Sequence, residues 1–208
     1  MGSEDLFRRR KELKEFKRNV GSRGNDRDRI LIVCEGEETE RNYFEGFRLT
    51  NVTVKGTGYN TESLVRKAIE LKRQAIRDRE KYDQVWSVFD RDSFSSEIFN
   101  NAFILAQTHG IKIAYSNEAF ELWYLLHFNY YDTGLSRDQY QSKLSHLLGH
   151  EYKKNSPSIF EEIIEYQDDA IRNVKKLLSQ YPNFNPENNN PSTTVHLLVE
   201  ELRKWNES

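Results

Sequence analysis

Two short acidic strings carry the chemistry open to this sequence. Glu35-Gly36-Glu37-Glu38-Thr39-Glu40 follows the apolar run Ile30 to Cys34, and Asp90-Arg91-Asp92 follows a second β-rich stretch, Gln84 to Phe89. Carboxylates are hard oxygen ligands suited to Mg²⁺, which takes one or two of them and leaves its other positions to water and phosphate oxygens. A turn after a strand can direct both Asp90 and Asp92 into one pocket, and Glu35 holds the equivalent place after the first run. Each acid also has a plain structural reading: Glu37, Glu38 and Glu40 suit a helix N-terminus, and Asp92 suits a cap. For Glu35 and Asp90, both at strand ends, a metal or catalytic role is favoured over the structural one, because in open parallel sheets the working groups gather outside the carboxyl ends of the strands.

The elements that must hold these acids follow from the pattern around them. Residues 30–115 read as four strands (Ile30–Cys34, Val52–Lys55, Gln84–Phe89 and Ile111–Tyr115) alternating with helices at Glu37–Leu49, Thr61–Lys81 and Glu97–Thr108. Strand–helix alternation predicts right-handed βαβ units and a mostly parallel four-stranded sheet flanked by helices. The rest reads as helical, over Ala119–Phe128, Arg137–Leu148, Ile159–Ser179 and Thr193–Trp205. The expected organisation is a basic N-terminal arm (1–29), an α/β core (30–128) and a helical C-terminal extension packed on it (129–208).

Composition narrows the partners. Thirty-one Lys and Arg against 33 Asp and Glu give a net charge of −2, which excludes a chain that coats nucleic acid by bulk charge. The charge is uneven: residues 1–29 hold ten Lys/Arg and six acids, so this arm is either a solvated tail or a contact for phosphate or a partner. A single cysteine, Cys34, excludes a disulfide framework and favours a reducing compartment. With no long apolar run and a charged N-terminus, a soluble cytoplasmic protein is expected, without a membrane partner.

The strings Leu31-Ile-Val-Cys-Glu-Gly and Val88-Phe-Asp-Arg-Asp resemble the Toprim pattern, an acid after strand one and Asp-x-Asp after strand three. Four longer strings, in the right order, resemble the RloB-like family more specifically. They are Cys34-Glu-Gly-Glu-Glu-Thr-Glu-Arg-Asn-Tyr-Phe, Gly56-Thr-Gly-Tyr-Asn-Thr-Glu-Ser-Leu-Val, Ser116-Asn-Glu-Ala-Phe-Glu-Leu-Trp-Tyr-Leu-Leu-His-Phe and Asn190-Pro-Ser-Thr-Thr-Val. The resemblance spans about residues 28–202. It implies a Toprim-like fold and a Mg²⁺-dependent nuclease, with Mn²⁺ as a substitute, tied to bacterial antiviral defence and restriction-modification loci and often encoded beside an ATPase. It further implies Glu35, Asp90 and Asp92 as catalytic and metal-binding acids and Glu40 as a further one. The sequence departs from the family at Glu118, where proline more often follows Ser-Asn.

Other residues carry two readings each. Gly56 to Thr61 suits either a turn capped by Asn60 or Thr61 or a phosphate site using Thr57, Gly58 and Asn60, although it lacks the last glycine of a dinucleotide fingerprint and a Walker lysine. Glu121 is the sole acid among Phe120, Leu122, Trp123, Leu125 and Leu126; a buried carboxylate there is either a site residue, with Asn117 four residues earlier, or a core hydrogen-bond partner. Lys154 suits a cation on a transferring phosphate or a solvated surface. His127 and His196 read as core or surface residues, and Asn190 to Thr194 as a helix start. Two functions compete: a metal-dependent phosphodiester hydrolase acting on DNA or RNA, and a non-catalytic adaptor that binds nucleic acid or an ATPase. A receiver-like phosphorylation domain is disfavoured, since no fifth strand with a following lysine is visible.

Overall fold

Five consecutive apolar residues, Ile30–Cys34, form β1, and every one is fully buried, as a strand covered on both faces requires. The computed structural model describes residues 27–91, 95–183 and 185–206. In it β1 takes second place in a five-stranded sheet ordered β2 (Val52–Gly56), β1, β3 (Gln84–Asp90), β4 (Lys112–Asn117) and β5 (Ser192–Thr193). The first four are mutually parallel and β5 runs antiparallel to β4. Register sets Cys34 beside Gly56 and Val88, and Asp90 beside Ser116, so four carboxyl ends finish along one edge.

Alternating side chains of the strands serve two cores. Leu31, Val33, Val85 and Phe89 pack beneath Leu64, Val65 and Ala68 of α2 (Thr61–Arg77) and Phe99, Ala102 and Ala106 of α3 (Ser96–His109). Ile30, Ile32, Trp86 and Val88 face the other way. They meet Tyr43 and Phe44 of α1 (Thr39–Glu45), the apolar α4 (Glu121–Phe128), and residues of α5 (Arg137–Leu148), α6 (Ile159–Ile163), α7 (Gln167–Leu178) and α8 (Val195–Asn206). The C-terminal helices thus close the second face of the sheet. This is an α/β architecture consistent with a Toprim-like fold.

Three local expectations are corrected. The sheet has a fifth strand, where residues 192–193 were expected to be loop and helix. β4 would otherwise expose its outer edge, and Thr193 and Thr194 supply partners there: Thr193 Oγ1 donates to the Tyr115 carbonyl at 2.9 Å, and the Thr194 amide donates to the same oxygen at 2.9 Å. The helix then starts at Val195. The helix expected over Ile159–Ser179 is interrupted by a 3₁₀ turn, Ile164–Tyr166, before Gln167 enters the core and donates to Tyr43 Oη at 3.3 Å. The helix expected to run to Lys81 stops at Arg77, beyond which Arg79 adopts a positive φ of 61°. The peptides Asn117–Glu118 and Asn190–Pro191 are cis. Among the described residues no helix is long and apolar enough to cross a membrane. Most of the basic arm, residues 1–26, lies outside the described residues.

Candidate active site

Where β1 ends, its chain is clamped to both neighbours. The Glu35 amide donates to the Val88 carbonyl at 2.9 Å, and the Gly58 amide donates to the Glu35 carbonyl at 2.9 Å. The chain then bends over residues 35–38 and enters α1, so the helix begins at Thr39 and not at Glu37. Gly36 is fixed by packing: a Cβ there would lie 1.9 Å from Glu40 Oε2, because the Glu40 carboxylate folds back over the bend. Gly56 is more firmly constrained, since its Cβ would stand 2.4 Å from the Glu37 carbonyl oxygen, a main-chain atom. Glu40 therefore occupies the first turn of α1, where the helix dipole favours an acid, and also points inward, buried.

Asp90, the last residue of β3, faces the same space with its side chain 14% exposed. Its Oδ2 lies 3.7 Å from Arg137 Nη2 at the start of α5, while its Oδ1 is buried without a hydrogen bond, as is Glu40 Oε2. Glu121, the first residue of α4, is buried behind them and accepts a hydrogen bond from Tyr152 Oη at 3.3 Å. A cleft of about 580 Å³ opens here, lined by the acids Glu35, Glu37, Glu38, Glu40 and Asp90 and by the cations Arg137 and Lys154. Lys154 is carried by a loop bound to α1 through its neighbour: Thr39 Oγ1 donates to Asn155 Oδ1 at 2.6 Å, and Asn42 Nδ2 to the Asn155 carbonyl at 3.1 Å.

Burial first, and then the charges of Glu40, Glu121 and Glu35, push the Asp90 carboxyl well above the usual carboxylate range; Arg137 opposes this. Burial likewise raises Glu40, assisted by Glu121 and opposed by backbone N–H donors and Lys154. Burial and the Glu121 carboxylate raise the Tyr152 phenol. A set of carboxyls that resist ionising together attracts positive charge, and its all-oxygen donors suit a hard divalent ion. Among the described residues no three His, Cys, Asp or Glu side chains stand ready to hold a metal together. Asp92, the third acid of the expected set, lies outside the described residues. One or two carboxylates suffice for Mg²⁺ when water and phosphate complete its shell, and on that criterion the donors present fit.

The structure brings Glu35, Glu40, Asp90, Lys154 and Gly58 to one cleft and sets Glu121 against its back. It does not bring Asn117 there: this residue ends β4, and its amide donates to the Asn189 carbonyl at 2.9 Å. Because α4 starts at Glu121, Asn117 and Glu121 do not share a helical face. Thr57 and Asn60 serve local structure, Thr57 Oγ1 donating to the Cys34 carbonyl at 2.9 Å and Asn60 capping α2 in a capping box with Ser63. Sequence reasoning missed Arg137, Tyr152 and Asn155. Arg137 reads locally as the first residue after the cap Ser136, and nothing in its spacing ties it to Asp90.

The family model described as RloB-like protein matches residues 30–202. No curated protein matches the chain. No solved structure matches it either.

Proposed function

This chain belongs to the RloB-like family, and from that premise we propose that it is a metal-dependent nuclease that hydrolyses phosphodiester bonds of nucleic acid, acting in the cytoplasm in defence against foreign nucleic acid beside an ATPase partner. The observation that carries this reading is the convergence of Glu35, Glu40 and Asp90, at strand and helix ends, with Arg137 and Lys154 in the lining of one cleft. Asp90, with Glu35 or Asp92, would hold Mg²⁺ or Mn²⁺. Such an ion, when bound, supplies positive charge to the phosphate and lowers the pKa of water. Glu35, in the lining of the cleft, serves as a further ligand or as the group that takes and returns the proton of the attacking water. Lys154 and Arg137 set cations against the non-bridging phosphate oxygens, where charge grows as the bond breaks. Glu121, hydrogen-bonded to Tyr152, adds negative potential at Asp90 and so strengthens its hold on a proton or a cation.

The test is cleavage of single- and double-stranded DNA and RNA by the full chain with Mg²⁺, with Mn²⁺ and with a chelator. Asp90→Asn, Asp92→Asn and Glu35→Gln should each remain folded and lose about 10²-fold or more in rate, in line with loss of an acid–base or metal-holding group. Cleavage that persists at wild-type rate in all three variants overturns the nuclease. Binding of nucleic acid or an ATPase with no cleavage under any metal would replace it with the adaptor reading.

A further inference from the structure

A second groove adjoins the acidic cleft across a single residue. Gly58 lines the cleft, while Thr57 and Tyr59 on either side of it line a groove of about 500 Å³ along β2, the open edge of the sheet. Three cations, Arg41, Lys55 and Lys67, line this groove against one acid, Glu45, with Leu71 contributing apolar surface. Tyr59 is 48% exposed, one of few large apolar side chains left open to solvent. Lys55 forms no ion pair among the described residues. Arg41 and Lys67 pair only with exposed partners on their own helices, Glu45 and Glu70, both at 3.0 Å; such pairs are weak and exchange readily for phosphate.

The loop that carries Tyr59 is fixed to the end of β1 and to Glu35 just beyond it. The Thr57 amide donates to the Cys34 carbonyl at 3.1 Å, the Gly58 amide to the Glu35 carbonyl, and the Tyr59 amide to Thr57 Oγ1 at 3.3 Å. Gly58 holds a φ of +68°, a left-handed conformation that glycine adopts without penalty, and this turn directs Tyr59 away from the cleft into the groove. An exposed aromatic ring on a hydrogen-bonded loop beside a cationic groove has the two components by which proteins hold unpaired strands: phosphates against Lys and Arg, and a base stacked on the ring. Bases within a duplex have both faces covered by their neighbours and cannot use such a platform. An added peptide strand is the other occupant an open sheet edge attracts, but a lysine on the edge opposes it.

We infer that the β2 groove is the track by which a single-stranded nucleic acid enters the cleft, with a base stacked on Tyr59 and the adjoining phosphates on Lys55, Arg41 and Lys67. The inference rests on the nuclease reading above and names the strandedness of its substrate. It is tested on the full chain in the presence of a chelator, using a short single strand with 2-aminopurine at successive positions and its duplex as probes. Wild type should bind the single strand more tightly than the duplex at low salt and quench 2-aminopurine at one position. Tyr59→Ala should weaken single-strand binding roughly five- to hundred-fold and abolish the quench, while Tyr59→Trp keeps both. Lys55→Ala should lower the slope of log affinity against log salt by about 0.7, one phosphate contact on a single strand. Tyr59 and Lys55 are surface residues, and unchanged melting curves confirm that each variant is folded. Binding and quench unaltered in Tyr59→Ala, a Tyr59→Trp variant as weak as Tyr59→Ala, equal affinity for duplex, or a preference for an extended peptide each overturns the track. If the track fails while cleavage still depends on Asp90, the nuclease stands and takes its substrate by another route; if cleavage fails while Tyr59 still quenches, the groove is that of a single-strand binder.

Discussion

An aspartate at the last residue of β3, with one oxygen buried and unbonded and three glutamates nearby, destabilises the fold whenever it is ionised. The folded carboxyl holds its proton more tightly than the same group in the unfolded chain, so the folded state carries this penalty at neutral pH and is relieved of it as pH falls through the raised value. Removing the charge while keeping the shape should do the same at constant pH. Asp90→Asn is therefore expected to raise the melting midpoint, by about 2–4 °C for each kcal/mol gained in a chain of this size. Millimolar Mg²⁺ or Mn²⁺ should raise the midpoint of the wild type by mass action and raise that of Asp90→Asn less. A lower midpoint in the variant, or a wild type unmoved by either ion, would count against the site. At this scale the sequence was legible where chemistry coincides with a strand end, as at Glu35 and Asp90. Tyr152 and Arg137 were not legible, because their positions depend on how a distant loop and helix return to the sheet, and no local spacing encodes that return.

The bend between β1 and α1 converts two strand-end acids into a cleft, and its two glycines separate positioning from folding. In Gly36→Ala the new methyl meets the end of a flexible side chain, so Glu40 moves and the backbone stays. Cleavage should fall about tenfold or more, as a misplaced carboxylate predicts, with a melting midpoint near that of the wild type. In Gly56→Ala the methyl meets the Glu37 main chain, which cannot step aside, and overpacking should destabilise the fold by about 1–3 kcal/mol. Melting curves and cleavage rates measured in parallel distinguish the two; a fully active Gly36→Ala or a fully stable Gly56→Ala would refute the division. Elements were legible wherever apolar runs or three-to-four spacing extended over several residues: β1 is bounded as its sequence indicates, and so is α5. β5 was not, since two residues have no period and Pro191-Ser192-Thr193 has the composition of a helix start. Its identity as a strand comes from the vacant edge of β4.

Across the whole molecule, the sheet's two faces differ in what they bury: one is apolar and aromatic, while on the side of the C-terminal helices two histidines are enclosed. Burial pushes both His127 and His196 down to about 4. The unfolded chain takes up these protons near pH 6.5, whereas the folded one does so only near 4, so stability is full above 6.5 and falls as pH drops through that window. Each histidine contributes a loss on the order of 3 kcal/mol, against a total of roughly 5–15 kcal/mol for a typical domain. The Asp90 and Glu40 carboxyls act in the opposite sense, and a histidine variant isolates the effect. Urea unfolding followed by tryptophan fluorescence at pH 7 and pH 4 should show a smaller acid loss in His196→Gln than in the wild type; equal losses would refute it. The enclosure of two ionisable rings was not legible, because His127 and His196 carry no mark in the sequence that distinguishes core from surface. Cys34 is the chain's single thiol, the last residue of β1, wholly enclosed, and raised in pKa by burial and by the Glu40 charge. An alkylating reagent reaches it only when β1 parts from its neighbours, so the rate of its modification is a clock for the opening of the strand that leads into Glu35, against which the effect of any ion, oligonucleotide or substitution at the cleft can be timed.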